Sequence, residues 1–85
     1  MRVVCVWREQ SDNSRAVEDW NGSFERLTGK EIESISPDTK EGESFCQAYG
    51  VMAYPTILAL GDDGAVMASW QGEMLPLFDE VAYWA

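Results

Sequence analysis

Ser11-Asp12-Asn13-Ser14 follows closely on an apolar run and sets two hydroxyls three positions apart around a carboxylate and an amide. Such residues could supply nucleophiles if a base activates them, or they could cap the start of a helix. The chain has no histidine, and no lysine lies nearby to act as base, so the capping reading is preferred. The two cysteines, Cys5 and Cys46, stand 41 positions apart. Cys5 lies among valines, and Cys46 lies beside Phe45 on one apolar stripe with Tyr49, so both read as small buried hydrophobes. A bridge between them would need matched Cβ vectors across a strand and a helix, and none is expected. Without histidine, cysteine–histidine zinc spacing is impossible. The acids at Glu41, Glu43, Asp62, Asp63, Asp79 and Glu80 match no calcium-loop spacing and read as solvated turns and first helical turns. Neither a metal nor a cofactor is expected.

Eighty-five residues suit a single domain over 1–85, which buries only about 60–65% of the unfolded chain's surface. Fifteen acids against six bases leave a net charge of −9. That charge repels phosphate backbones and anionic headgroups, which argues against nucleic-acid and membrane partners. No apolar run approaches the ~20 residues of a membrane helix. The first run is too short and too β-branched for a secretory signal. The expected setting is the cytoplasm, with reduced thiols.

These residues need elements to position them. Residues 3–7 are continuously apolar, as in a strand buried on both faces. Val17, Trp20, Phe24 and Leu27 recur at helical spacing, with Asn21-Gly22-Ser23 as a weak point and Gly29 as the stop. Residues 30–36 alternate weakly around Ile32 and Ile35, as in an edge strand. Phe45, Cys46 and Tyr49 mark a short helix that Gly50 ends. Strands at 56–60 and 65–70 flank Gly61-Asp62-Asp63-Gly64, a hairpin signal. Residues 75–84 read as a last helix with Pro76 in its first turn. The order β-α-β-α-β-β-α gives an α/β fold with a four-stranded mixed sheet and helices on both faces, its first two strands parallel. Trp7 and Trp20 fall at core positions, whereas Trp70 and Trp84 end their elements and are open to exposure. If exposed, that pair would suit a contact between copies, although a monomer is favoured.

The stretch Tyr49-Gly50-Val51-Met52-Ala53-Tyr54-Pro55-Thr56-Ile57-Leu58 resembles the YGV-x-x-x-PT segment of thioredoxins. Val6-Trp7, Gly64 and Gly72 extend the resemblance over nearly the whole chain. It looks like a short, glutaredoxin-like form without the first strand and helix of larger members. The resemblance implies a three-layer thioredoxin-like fold in which Pro55 is cis and faces the loop after the first strand. It also implies that the family's Trp-Cys-x-x-Cys motif falls on Gln10-Ser11-Asp12-Asn13-Ser14, with serine at both cysteine positions. Cys5 takes the place of the family's buried acid. Serine forms no disulfide and stays protonated near neutral pH, so thiol–disulfide exchange is excluded at that position and no catalytic residue is assigned.

What remains is a groove lined by Gln10, Ser11, Asp12, Asn13, Ser14, Tyr54, Pro55, Gln71 and Gly72. Aromatic and amide side chains beside free main-chain groups suit a protein partner or extended peptide bound by strand addition. The expected function is therefore a redox-inactive binding module. The alternative is a thiol–disulfide or glutathione-dependent oxidoreductase or transferase with an atypical site, using Cys46 or using Ser11 as some glutathione transferases use a serine. A chain of −9 suits an anionic tripeptide poorly.

Overall fold

The computed structural model describes residues 2–8, 14–72 and 74–85. The elements are β1 Arg2–Val6, α1 Ser14–Thr28, β2 Glu33–Ile35, α2 Lys40–Tyr49, β3 Thr56–Leu60, β4 Val66–Gln71 and α3 Phe78–Ala82. The sheet runs β2-β1-β3-β4, with β1 parallel to β2 and antiparallel to β3, and β3 antiparallel to β4. No described helix is long and apolar enough to cross a membrane.

The apolar runs Val3 to Val6 in β1 and Ile57 to Leu60 in β3 follow from their place inside the sheet, covered on both sides. Because successive strand residues point to opposite faces, the two strands feed two cores. Val3, Cys5, Ile57 and Ala59 pack with Val17, Trp20 and Phe24 of α1 and Val81 of α3. Val4, Val6, Leu58 and Leu60 pack with Cys46 of α2 and Val51. On the first face Trp20 stacks on Phe24 with ring centroids 5.3 Å apart, and Phe78 lies 5.3 Å from Trp20. The indole Nε1 of Trp20 donates to the Pro76 carbonyl at 2.9 Å. That bond anchors the segment entering α3.

Helix α2 begins at Thr39, whose hydroxyl accepts from the Gly42 amide at 2.9 Å, and acids at Glu41 and Glu43 suit the first-turn dipole. It ends on Gly50 in the left-handed conformation, φ 67°. The hairpin between β3 and β4 closes through Gly64 N–H to Gly61 C=O at 3.0 Å, and Tyr49 reaches it with a hydroxyl-to-carbonyl bond to Gly64 at 3.1 Å.

Several details differ from the sequence reading. Helix α1 is continuous through Asn21-Gly22-Ser23, since packing of Trp20 and Phe24 holds it on either side. Leu27 is 73% exposed: at about 100° per residue it falls on the flank of the stripe, outside Val17 and Phe24. Strand β2 covers three residues and α3 five. Pro76 precedes α3, with Leu77 at the N-cap. Trp70 and Trp84 are half-buried against the first core, because in a chain this small they close its rim; Trp70 also donates to the Glu80 carboxylate at 3.2 Å.

Gly42 is fixed by contact. A Cβ there would lie 1.7 Å from the Ser36 carbonyl oxygen, a backbone atom that cannot swing aside. Gly42→Ala is expected to destabilise the fold by about 1–3 kcal/mol, read as a lower urea midpoint. An unchanged midpoint would show that α2 is free to shift.

Candidate functional site

The register aligns Val6 with Thr56 and Thr56 with Gln71, so the end of β1, the start of β3 and the end of β4 meet at one edge of the sheet. β1 and β2 are parallel, which obliges α1 to start from that same edge and run back. Ser14, the first residue of α1, and Tyr54, Pro55, Gln71 and Gly72 therefore gather at one end of the fold. Gln10, Ser11, Asp12 and Asn13 lie outside the described residues.

The Tyr54–Pro55 peptide is cis. Pro55 is buried and its carbonyl accepts from the Gly72 amide at 3.0 Å. Gly72 itself has φ 96°, a backbone region that favours glycine. The buried Thr56 hydroxyl donates to the Ala53 carbonyl at 2.6 Å. Among the described residues the backbone N–H and C=O of Tyr54 have no backbone partner, and the same holds for Met52 in the same loop.

Tyr54 also enters a groove of about 340 Å³ between the end of α2 and the chain that follows it. Pro37, Cys46, Val51 and Met52 form its apolar wall, and Glu43, Gln47 and the Tyr54 phenol are its polar groups. The Arg8 guanidinium lies over the Tyr54 ring, 5.0 Å from the centroid, and pairs with Asp38 at 3.3 Å. Burial, then the neighbouring Cys46 thiol, pushes the Tyr54 phenol up from its ordinary value, while Arg8 pulls the other way. The phenol stays a neutral donor at physiological pH.

Of the five described groove residues expected from sequence, Ser14, Tyr54, Pro55, Gln71 and Gly72, only Tyr54 lines this cavity. Ser14, Gln71 and Gly72 share its end of the sheet without lining it. Pro37, Glu43, Gln47, Val51 and Met52 escaped the sequence reading because they belong to the α2 side, whereas attention fell on the loop before α1. The signal was present in Gly50, whose left-handed stop turns the chain beneath α2.

The cysteines are both free thiols. They serve opposite faces: Cys5 in the core under α1, Cys46 in the core under α2. Burial pushes the Cys5 thiol up to about 12, although a hydrogen bond from Asn21 opposes the rise.

A parallel β-α-β unit continued through a second helix into an antiparallel hairpin, with a cis-proline leading into the central strand, defines a thioredoxin-like fold. Solved structures place it there. Thioredoxin 1 from the thermophilic eubacterium Thermosipho africanus TCF52B is similar with a TM-score of 0.68 at 16% identity, covering 98% of this chain and 88% of that one. A chain of the ferredoxin:thioredoxin reductase–thioredoxin f2 complex gives 0.69 at 11% identity, over 95% of this chain and 70% of that one. A malarial protein gives 0.64 at 18%, over 85% and 80%. At these identities the likeness concerns the fold alone. No protein-family model matches the sequence, and neither does any curated protein.

The raised Cys5 value has a measurable sign. Its ordinary value is 9.0 and its folded value about 12, so between them the folded state holds a proton the unfolded chain releases. Its contribution is complete below pH 9 and is lost as pH rises toward 12. Cys5→Ala is expected to flatten the loss of stability with pH across the lower part of that window, measured by urea unfolding at pH 8 to 10.5. Parallel slopes for the two proteins would show that the thiol ionises normally in the fold.

Proposed function

We propose that this chain is a redox-inactive, single-domain thioredoxin-like module, residues 1–85, that binds an extended segment of a protein partner. The segment runs along Tyr54-Pro55, with Gln10 to Ser14, Gln71 and Gly72 as neighbours. The observation that carries this reading is the Tyr54 backbone, whose donor and acceptor lack backbone partners among the described residues beside a groove of about 340 Å³. Unpaired main chain beside a cleft is what an added strand needs: hydrogen bonds supply affinity and pockets select side chains. The complex of thioredoxin f2 with ferredoxin:thioredoxin reductase is an example of this fold joined to a protein partner.

The competing thiol reading requires a reactive cysteine. Cys5 is wholly buried, and a thiol pushed up to about 12 supplies almost no thiolate at neutral pH. Cys46 is 7% exposed and has no second cysteine on its face to resolve a mixed disulfide.

Peptides selected from a displayed random library are expected to shift the amide resonances of Tyr54, Gln71 and Gly72. Tyr54→Asp is expected to weaken them about tenfold while the melting temperature holds, in line with loss of a central aromatic contact. Insulin disulfide reduction by dithiothreitol is expected to run at its uncatalysed rate. Shifts clustered elsewhere, or catalysis abolished by Cys46→Ala, would overturn the proposal.

A further inference from the structure

The groove beneath α2 has a composition that selects among side chains. Its wall of Pro37, Val51 and Met52 is aliphatic, whereas its polar groups are the Glu43 carboxylate, the Gln47 amide and the Tyr54 phenol. No lysine or arginine lines it. The only nearby described cation on Tyr54, Arg8, already has the Asp38 carboxylate at 3.3 Å, so its charge does not neutralise Glu43. Among the described residues no ion pair engages Glu43. At about 340 Å³ the space is at the lower limit of small-molecule sites, the scale of one long side chain.

We infer that the groove receives a lysine or arginine side chain from the bound peptide, its stem along Val51 and Met52 and its charged head at Glu43. Long basic side chains bury apolar stems while keeping the head at a polar rim, which is the order of surfaces here. The Tyr54 ring already carries one guanidinium at 5.0 Å, so its electron-rich face tolerates cations in this setting. The net charge of −9 adds long-range attraction for a basic segment and repels an acidic one. This inference rests on the peptide-binding reading above and adds the chemistry of the partner.

The test uses octapeptide pools with degenerate uncharged positions around one fixed residue: arginine, lysine, citrulline, norleucine or glutamate. Binding is read by fluorescence anisotropy at low and high salt. The arginine and lysine pools are expected to bind about fivefold more tightly than citrulline and norleucine, the scale of one partly exposed ion pair, and glutamate most weakly. Salt is expected to shrink the difference. Glu43→Gln is expected to erase the arginine-to-citrulline ratio, and Glu43→Lys to invert the preference toward glutamate. Glu43 is exposed, so both variants keep the fold. Equal binding of all pools, or a basic preference that survives Glu43→Gln, would overturn the inference and leave peptide binding standing. Failure of every pool to bind would overturn both.

Discussion

Two short strands buried on both faces govern this molecule. β1 and β3 lie side by side at the centre of the sheet, and their residues are almost entirely withdrawn from water. Five residues in each strand leave little area to spare, so every apolar position must meet a helix. Burial at roughly 25 cal/mol per Å² favours covering both faces at once, and the helices are placed by that demand. The sheet edge where β1 ends and β3 begins is then set by backbone register alone. That edge carries the candidate site.

The two faces meet the demand differently. Under α1 and α3, Trp20, Phe24 and Phe78 interlock, and the Trp20 indole finds the Pro76 carbonyl. Large rings fill that side. Under α2 the side chains are smaller: Val4, Val6, Leu58 and Leu60 meet Cys46 and Val51. Phe45 and Tyr49 turn toward each other, 4.7 Å between ring centroids, and Tyr49 ties itself to the hairpin. The end of α2 thus stays open above Cys46 and Val51, and the groove occupies that opening. Where aromatic volume is spent decides which face has a cavity.

Most of the architecture was legible because hydrophobic period and helix stops are local signals. The continuous apolar runs at β1 and β3, Gly29 and Gly50 as helix ends, and the Asp-Gly hairpin all kept their meaning in three dimensions. The failures came where tertiary packing outweighed local pattern. Leu27 obeys helical spacing and is still exposed, since it falls on the flank of the stripe, clear of the core that Val17 and Phe24 enter. Pro76 suits a first helical turn, yet its carbonyl is used by Trp20 in front of the helix. The site was legible in part. Tyr54, Pro55 and Gly72 are joined by register and by the Gly72-to-Pro55 bond, which a sequence motif could anticipate. The groove depends on how α2 lies over β1 and β3, and no motif in α2 states that.

Cys5 shows what a central strand position demands of the side chain that occupies it. A central strand position surrounded by Val17, Phe24, Ile57 and Val81 penalises any charge heavily. A thiol answers that penalty by holding its proton, and burial pushes it up to about 12. An ionised acid at the same place would need a partner to offset desolvation. With a neutral thiol there, no charge is buried in the centre of β1, and the strand holds β2 and β3 in register. The polar work passes to the sheet's edge and to α2, where Arg8, Asp38 and Glu43 remain in contact with water. Among the described residues, charge lies where water reaches it.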